Sequence, residues 1–518
     1  MWNEKGSVLK DPGGKLNVAL VFPGTYWVGM SNLGLQQMYR LLNAHPGILC
    51  ERFFTDCPRS VEANRPLSDF HIIAFSISYE MDFIEVVRIL AGNTITVSAR
   101  QRNGRPIVMA GGAAVTMNPE PLADACDICF LGDGETLPEK LHGAFSASSG
   151  YEEFLDRMSS ADGVYVPGRT RPVYEGDTVT SFEGPLPRLS LAEPLADPAR
   201  TSIVTKDTAF GDMYLVETAR GCPFSCAFCS AREIYSPYRS VSVDRLCTIL
   251  DEAAGHREKI GLVSTSLNNH PEAAAIFSEI RRRGLKVAPP SLRPGMIGPE
   301  LLTALSESGV KGVTLAPETG SEDLRFSAGK RIKNETILDD VRSLVTAGVR
   351  DIKLYLMVGL PGEKLSDLDE TIDLIRRIRQ IFIQVSRGNR KIGKVSVSVN
   401  TFVPKPHTPF ERKPMVDPEE AKSRIKRIEK GLRAESNTQV GFEGPKWAYL
   451  QALISRGDRR LLGLLKEMAG HDASSWHRTL KRWPLNPDYY ALRAREESEI
   501  LPWSFLRGPC RGGNIHAG

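Results

Sequence analysis

The sequence predicts an α/β protein in three parts: a Rossmann-like domain with a parallel sheet, a partial (β/α)6 barrel and a small helical C-terminal region. Three observations predict it. Short apolar runs alternate with amphipathic helical stretches over residues 1–148, and again, six times, over 213–435. A Pro- and Gly-rich segment, 149–212, separates the two series. A chain of 518 residues is also too long for one ordinary domain.

Bulk composition bounds the class. The chain is 41% hydrophobic and 25% charged with a net charge of +4, values of a soluble globular protein and too mild to argue for nucleic acid by themselves. The first residues carry no apolar signal core and no apolar run is long enough for a membrane span. Nine cysteines without a disulfide-like rhythm fit a reducing cytoplasm.

In the first domain, strands are predicted at 16–22, 48–54, 71–76, 106–110 and 127–131, with helices at 33–42 and 83–90. Ligands of such sheets sit beyond the carboxyl ends of the strands. Small and polar residues gather there: Gly24 and Gly29 to Ser31 after the first strand, Ser76 and Ser78 after the third, Gly111-Gly112 after the fourth, Gly132-Asp-Gly134-Glu135 after the fifth. Glycines at these ends let a bulky ligand approach the backbone. No GxGxxG follows the first strand, which argues against a dinucleotide. Cys126 and Cys129 are spaced CxxC but fall in an apolar strand and read as core thiols.

The segment 149–212 reads as an ordered bridge, since it still carries Val, Ile and Leu; 163–166 and 171–174 would pair as a small hairpin. In the barrel, strands are predicted at 213–219, 260–266, 285–292, 310–316, 351–358 and 394–402. Helices follow at 243–254, 272–283, 299–308, 335–347, 367–379 and 418–433. Active sites of barrels lie at the carboxyl ends of the strands. The C-terminal region, 436–518, holds Trp447, Trp476, Trp483 and Trp503 among many arginines. Two readings fit it: a surface that stacks and holds nucleic acid, or core indoles with snorkelling arginines, as part of a lid on the barrel. The last residues, Gly508-Pro-Cys-Arg-Gly-Gly-Asn, read as unstructured, and nothing follows from Cys510.

The most specific stretch is Ala219-Arg-Gly-Cys222-Pro-Phe-Ser-Cys226-Ala-Phe-Cys229, just after the first barrel strand. Structural zinc takes four N/S ligands, usually as two pairs, and Cys247, His256 and His270 are isolated. A four-iron cluster with three thiolates keeps one iron open. With its CxxxCxxC spacing and Phe228 before the last cysteine, the chain resembles the radical S-adenosylmethionine (SAM) superfamily. It is most similar to largely uncharacterised members with an N-terminal cobalamin-binding-type domain. The Ser after the third strand, the Gly-Gly pair and the Gly-x-Gly-Glu ending of the first domain carry that second part. The Asp-x-His-x-x-Gly motif of His-ligated cobalamin proteins is absent, which alters the expected lower ligand.

The resemblance implies a 4Fe-4S cluster on Cys222, Cys226 and Cys229, with SAM chelating the open iron and cleaved by one electron to methionine and a 5′-deoxyadenosyl radical. It implies cobalamin on the first domain at Gly29, Ser76, Ser78, Gly111, Gly112, Gly132, Gly134 and Glu135. SAM would meet Ser264 and Ser266 near its amino group, Arg293 beside Ser291 at its carboxylate, and Glu318 at its ribose hydroxyls or amino group. Lys353 and Tyr355 on the fifth strand are catalytic candidates. The run Pro404-Lys-Pro-His407-Thr-Pro-Phe410 is stiff, as a cavity wall or a barrel edge. The implied reaction is methyl transfer to an unactivated carbon, with a flavodoxin or ferredoxin as electron donor. Alternatives are a radical isomerase or cyclase on the same cofactors, a methylthiotransferase-like modifying enzyme, and a non-enzymatic cluster-bearing RNA-binding protein.

Overall fold

A computed structural model describes residues 2–102, 104–192, 195–385 and 393–506. Pro194 of the bridge and the tail holding Cys510 lie outside the described residues.

The N-terminal strands Leu16–Val21, Ile48–Phe53, Ile72–Ser76, Ile107–Gly111 and Ile128–Phe130 form a parallel sheet, each within one residue of its predicted ends. In order of appearance they lie 2-1-3-4-5. The order reverses at Leu16–Val21, between Ile48–Phe53 and Ile72–Ser76, which opens a crevice at their carboxyl ends. All six residues of Leu16–Val21 are buried because both faces of the sheet are covered. One face packs on the helices Leu33–Ala44, Leu137–Ala147 and Tyr151–Ser159.

The other face is covered by Asp82–Gly92 and by the end of the chain. The helices Pro445–Ser455, Leu461–Ala469, Trp476–Arg482 and Pro487–Ala491 share one core with it. The C-terminal region thus completes the first domain rather than capping the barrel. Trp476, Trp483 and Trp503 are buried, and so are Arg456, Arg459 and Arg495, while Trp447 is 40% exposed. Arg456 donates to the carbonyl of Ala491 (2.9 Å) and Arg495 to that of Arg456 (2.8 Å). Three of the four indoles are therefore packing groups, unavailable for stacking on a nucleic acid. Cys126 and Cys129 are core thiols, as read.

The predicted hairpin pairs differently. Val164–Tyr165 joins the sheet antiparallel to Ile128–Phe130, and Arg171–Glu175 pairs instead with Thr178–Glu183. Gly176-Asp177, with Gly176 at φ +58°, supplies the two-residue turn that favours this partner.

The second parallel system contains Met213–Glu217, Lys259–Val263 and Lys286–Ala288 in one sheet, and Gly312–Glu318, Asp351–Val358, Lys394–Thr401 and Thr438–Phe442 in another. A parallel bridge from Leu292 to Leu315 links the two. The strand predicted over 285–292 stops at Ala288 because Pro289 and Pro290 donate no ladder hydrogen bond. Thr438–Phe442 is a seventh strand within the region read as helical; it is a mostly exposed edge and lacks an apolar run. The six predicted helices form as Val243–Ala254, Ala273–Arg282, Pro299–Glu307, Asn334–Thr346, Leu365–Val385 and Pro418–Leu432. Along Asp351–Val358 the even positions are buried while Lys353, Tyr355 and Met357 face the other side; Ser396, Ser398 and Asn400 do the same next door. That wall is polar and unfilled, unlike the bulky layers of a closed barrel. No helix among the described residues is long and apolar enough to cross a membrane.

Candidate functional site

The cysteine loop is closed at its neck by a two-residue antiparallel ladder, Ala219 opposite Ser240 and Arg220 opposite Arg239. Gly221 turns the chain at φ +82°, where a Cβ would lie 2.6 Å from the carbonyl oxygen of Tyr235. The loop is braced by the Ala227 amide, which donates to the Ala328 carbonyl (2.9 Å). Cys222, Cys226 and Cys229 are free and partly exposed. Burial pushes the Cys229 thiol up, and the neighbouring Cys226, Cys222 and Glu318 add to this. A bound cation would offset that penalty. No trio of His, Cys, Asp or Glu converges on a single-ion site among the described residues. A cluster spreads its ligands over separate irons, so three thiols on one loop fit it while failing as a mononuclear site.

Arg293 reaches this loop. Its guanidinium lies 3.7 Å over the Phe224 ring and its Nη1 is 3.6 Å from Cys226 Sγ. Glu318 follows a register shift in its strand, has φ +69°, and accepts from Lys330 Nζ at 2.7 Å. Ser264 Oγ accepts from the Ser266 amide (3.2 Å), and Ser266 is buried with its Oγ lacking a partner. Ser291 is exposed. Phe228 packs with Met357 and Phe410 against Leu324, Leu360 and Phe402.

Lys353 and Tyr355 are the third and fifth of eight residues in Asp351–Val358, so they stand below its carboxyl end by roughly 17 and 10 Å at the usual strand rise. Lys353 Nζ lies 4.8 Å from the Tyr355 ring centre. Met357 is the wall residue beside the mouth. His407, at φ +66°, joins its Nε2 to the Met117 carbonyl (2.9 Å), and Lys405 pairs with buried Glu80 (2.5 Å). The stiff run therefore ties the barrel rim to the first domain.

A cavity of about 730 Å³ lies between the carboxyl edge of the N-terminal sheet and the strands Met213–Glu217 and Lys259–Val263. Ser76, Ser78, Gly111, Gly112, Gly132, Gly134, Glu135 and Ser264 line it, together with Arg220 and Gly221 from the neck. Its deeper wall is apolar, built by Val18, Leu20, Ala74, Met109 and Leu141 between the sheet and its helices. Gly29 does not line it; it sits in the short helix Tyr26–Met30, where a Cβ would strike Phe54 at 2.3 Å. Ser31 and Asn32 take that place, and Asn32 Nδ2 donates to Ser78 Oγ (2.9 Å). Two of the other glycines, Gly112 and Gly132, have a second reason besides ligand approach. A Cβ on Gly112 would meet Ile77 O at 2.4 Å, and one on Gly132 would meet Ser190 O at 2.2 Å. Both have positive φ, so the protein's own backbone already demands glycine there.

Apart from Glu135, the residues that join cavity to cysteines are not in the predicted set. Arg220 pairs with Asp133 (2.8 Å), Glu135 (2.7 Å) and Glu217 (2.8 Å), and Arg239 with Asp133 (2.7 Å). Burial works to raise the Asp133 carboxyl, but the two guanidiniums outweigh it and hold the group below the ordinary carboxylate range. Glu135 thus spends one oxygen on Arg220, while its Oε2 is buried without a partner. The signals in the sequence were the Arg before Gly-Cys and the Asp within Gly-x-Gly-Glu; their pairing spans nearly ninety residues and has no periodicity to betray it.

Comparison with known proteins agrees with this geometry. Residues 34–167 match the family of radical SAM proteins, N-terminal, and residues 216–375 match the radical SAM superfamily. The chain therefore carries a radical SAM domain preceded by the N-terminal domain found in such proteins. An uncharacterised protein of Methanocaldococcus jannaschii is 27% identical over 450 residues, covering 86% of this chain and 89% of the relative. A protein of Pyrococcus horikoshii named as an uncharacterised methyltransferase is 25% identical over 295 residues, 55% of this chain and 61% of the relative. Among solved structures, the radical SAM methyltransferase TsrM of Kitasatospora setae, with cobalamin and a [4Fe-4S] cluster bound, superposes with a TM-score of 0.54 at 12% identity over 88% of this chain and 99% of that one. The cobalamin-dependent SAM radical enzyme OxsB, with aqua-cobalamin and SAM bound, gives 0.50 at 14% identity over 70% and 52%. The shared fold is a mixed α/β architecture around a radical SAM domain.

Proposed function

We propose that this radical SAM protein is a cobalamin-dependent methyltransferase acting on an unactivated carbon. It would hold a [4Fe-4S] cluster on Cys222, Cys226 and Cys229 and cobalamin in the interdomain cavity. The observation that carries the reading is the continuity of that cavity: one void touches the strand ends at Ser76, Gly111 and Glu135 and also the neck residues Arg220 and Gly221. The names of the Pyrococcus relative and of the two structural neighbours support it. When bound, the two cofactors supply one-electron cleavage of SAM and carriage of the methyl group.

The chain's own groups bind, orient and exclude water. Arg293 offers a guanidinium beside the cysteine loop for the carboxylate of SAM, a planar fork that lysine cannot reproduce. Ser264, with the buried hydroxyl of Ser266 behind it, offers acceptors to an amino group. The apolar wall of Val18, Leu20, Ala74 and Met109 would cover a bulky ligand, and Glu135 Oε2 is placed to accept a hydrogen bond at the cavity. Phe228, Met357 and Phe410 make an apolar ledge on the barrel side of the cysteines. Work in the cytoplasm with a flavodoxin or ferredoxin as electron donor belongs to the same proposal.

Anaerobic reconstitution with iron and sulfide, followed by incubation with SAM, hydroxocobalamin and dithionite as the electron source, tests it. Formation of 5′-deoxyadenosine together with S-adenosylhomocysteine is expected. Deoxyadenosine without S-adenosylhomocysteine would replace methyl transfer by another radical reaction. Cys226→Ala should lose the visible cluster absorbance and all SAM cleavage; cleavage surviving in that variant would defeat the assignment.

A further inference from the structure

We propose that Asp133 is a positioning residue: a carboxylate of the N-terminal domain that clamps both strands of the cysteine-loop neck and so couples the cavity to the cysteines. Arg220 and Arg239 stand directly opposite each other in the two-residue antiparallel ladder from which the loop springs. Opposed side chains of such a pair share a face, and like charges there repel. Asp133 lies between them, Oδ1 on Arg220 Nη1 at 2.8 Å and Oδ2 on Arg239 Nη1 at 2.7 Å.

The clamp is rigid on its own side. The Asp133 amide donates to Ser190 O (2.8 Å) and Oδ2 also accepts from the Ala192 amide (2.9 Å). It is also the one carboxylate paired with Arg239 among the described residues, and Arg239 is buried with its Nη2 lacking an acceptor. Arg220 keeps Glu135 and Glu217 when Asp133 is removed, whereas Arg239 keeps only carbonyl oxygens, those of Ala192 and Pro237. Removing one partner of a buried pair leaves an uncompensated charge, so the ladder should open from the Arg239 side. Asp133 also lines the cavity, between Gly132 and Gly134. Any ligand that orders this turn therefore orders the neck, and the coupling acts equally in both directions.

The coupling half rests on the proposed cobalamin site; the clamp half does not. The test is hydrogen–deuterium exchange on the full chain, wild type and Asp133→Asn, with and without hydroxocobalamin. In Asp133→Asn, the amides of 219–241 should exchange about tenfold faster while those of 82–92, in the shared core, stay as in the wild type. At concentrations of hydroxocobalamin that saturate each protein, exchange over 219–241 should slow in the wild type and not in Asp133→Asn. Unchanged exchange over 219–241 in the variant overturns the clamp. If Asp133→Asn also loses protection at 82–92, Arg239→Lys reads the same neck from the other strand, and no increase there overturns the clamp. Binding without protection of 219–241 in the wild type overturns the coupling alone. Failure of the wild type to retain hydroxocobalamin removes both the proposed cofactor and the coupling, leaving the clamp to be judged from the cofactor-free comparison.

Discussion

Arg293 stacks on Phe224 with its guanidinium carbon 3.7 Å from the ring centre, and the same side chain points Nη1 at Cys226 from 3.6 Å. The stacked ring fixes the plane of the guanidinium beside the one loop that carries three thiols. A cation on an aromatic face keeps its in-plane donors for another acceptor.

Arg293→Lys should therefore weaken SAM binding about tenfold, by loss of the fork, while the iron content after reconstitution stays that of the wild type. Equilibrium dialysis with labelled SAM and iron analysis of the same sample check this. Equal affinity in the two proteins would remove Arg293 from the SAM site.

Ala74 sits on the cavity side of Ile72–Ser76, almost fully buried. Ala74→Phe should fill the apolar end of the void and abolish retention of hydroxocobalamin on desalting, with cluster absorbance unchanged. Retention at the wild-type level would mean that the ligand does not enter this wall.

The fully buried Glu120 receives both Nε (2.9 Å) and Nη2 (3.0 Å) of Arg459, which fastens the C-terminal helices to the first domain. Glu120→Gln keeps the shape but strands the guanidinium, and should lower stability by about 3–5 kcal/mol. Urea unfolding followed by tryptophan fluorescence measures it; a change below about 1 kcal/mol would show that the pair is not the anchor.

Asp340 accepts from the Gly295 amide at 2.5 Å, and burial raises its carboxyl from 3.8 to about 6. The folded state then holds a proton that the unfolded chain releases, so stability falls as pH rises from 3.8 to about 6 and stays lower above it. Asp340→Asn should be more stable than the wild type by about 1–2 kcal/mol at neutral and higher pH, a figure reduced for partial solvation, with the gain vanishing toward pH 4. Melting temperatures across that range decide it. A gain independent of pH would mean the carboxyl titrates normally.

Periodicity made much of this legible. Leu-Asn-Val-Ala-Leu-Val at 16–21 is apolar but for Asn17 and bounded by turn residues, and a strand covered on both faces reads that way. Polar residues at strand ends located Ser76, Ser78, Glu135 and Ser264 beside a common void. The same logic overshot at Lys353, because a polar residue in an alternating strand faces the barrel interior at any height and the pattern gives the face, never the depth. It missed Thr438–Phe442, an edge strand with little to bury.

By itself the sequence determined what local rules can write: two parallel α/β series, a loop with three thiols in ligand spacing, and the strand ends that flank them. Only the tertiary structure decided which parts meet. The last helices return to cover the first sheet, and Asp133 reaches the two arginines at the base of the cysteine loop. The reason is physical: repeat and spacing constrain neighbours along the chain, whereas a buried ion pair is chosen by charge and distance in the packed molecule and leaves no period behind.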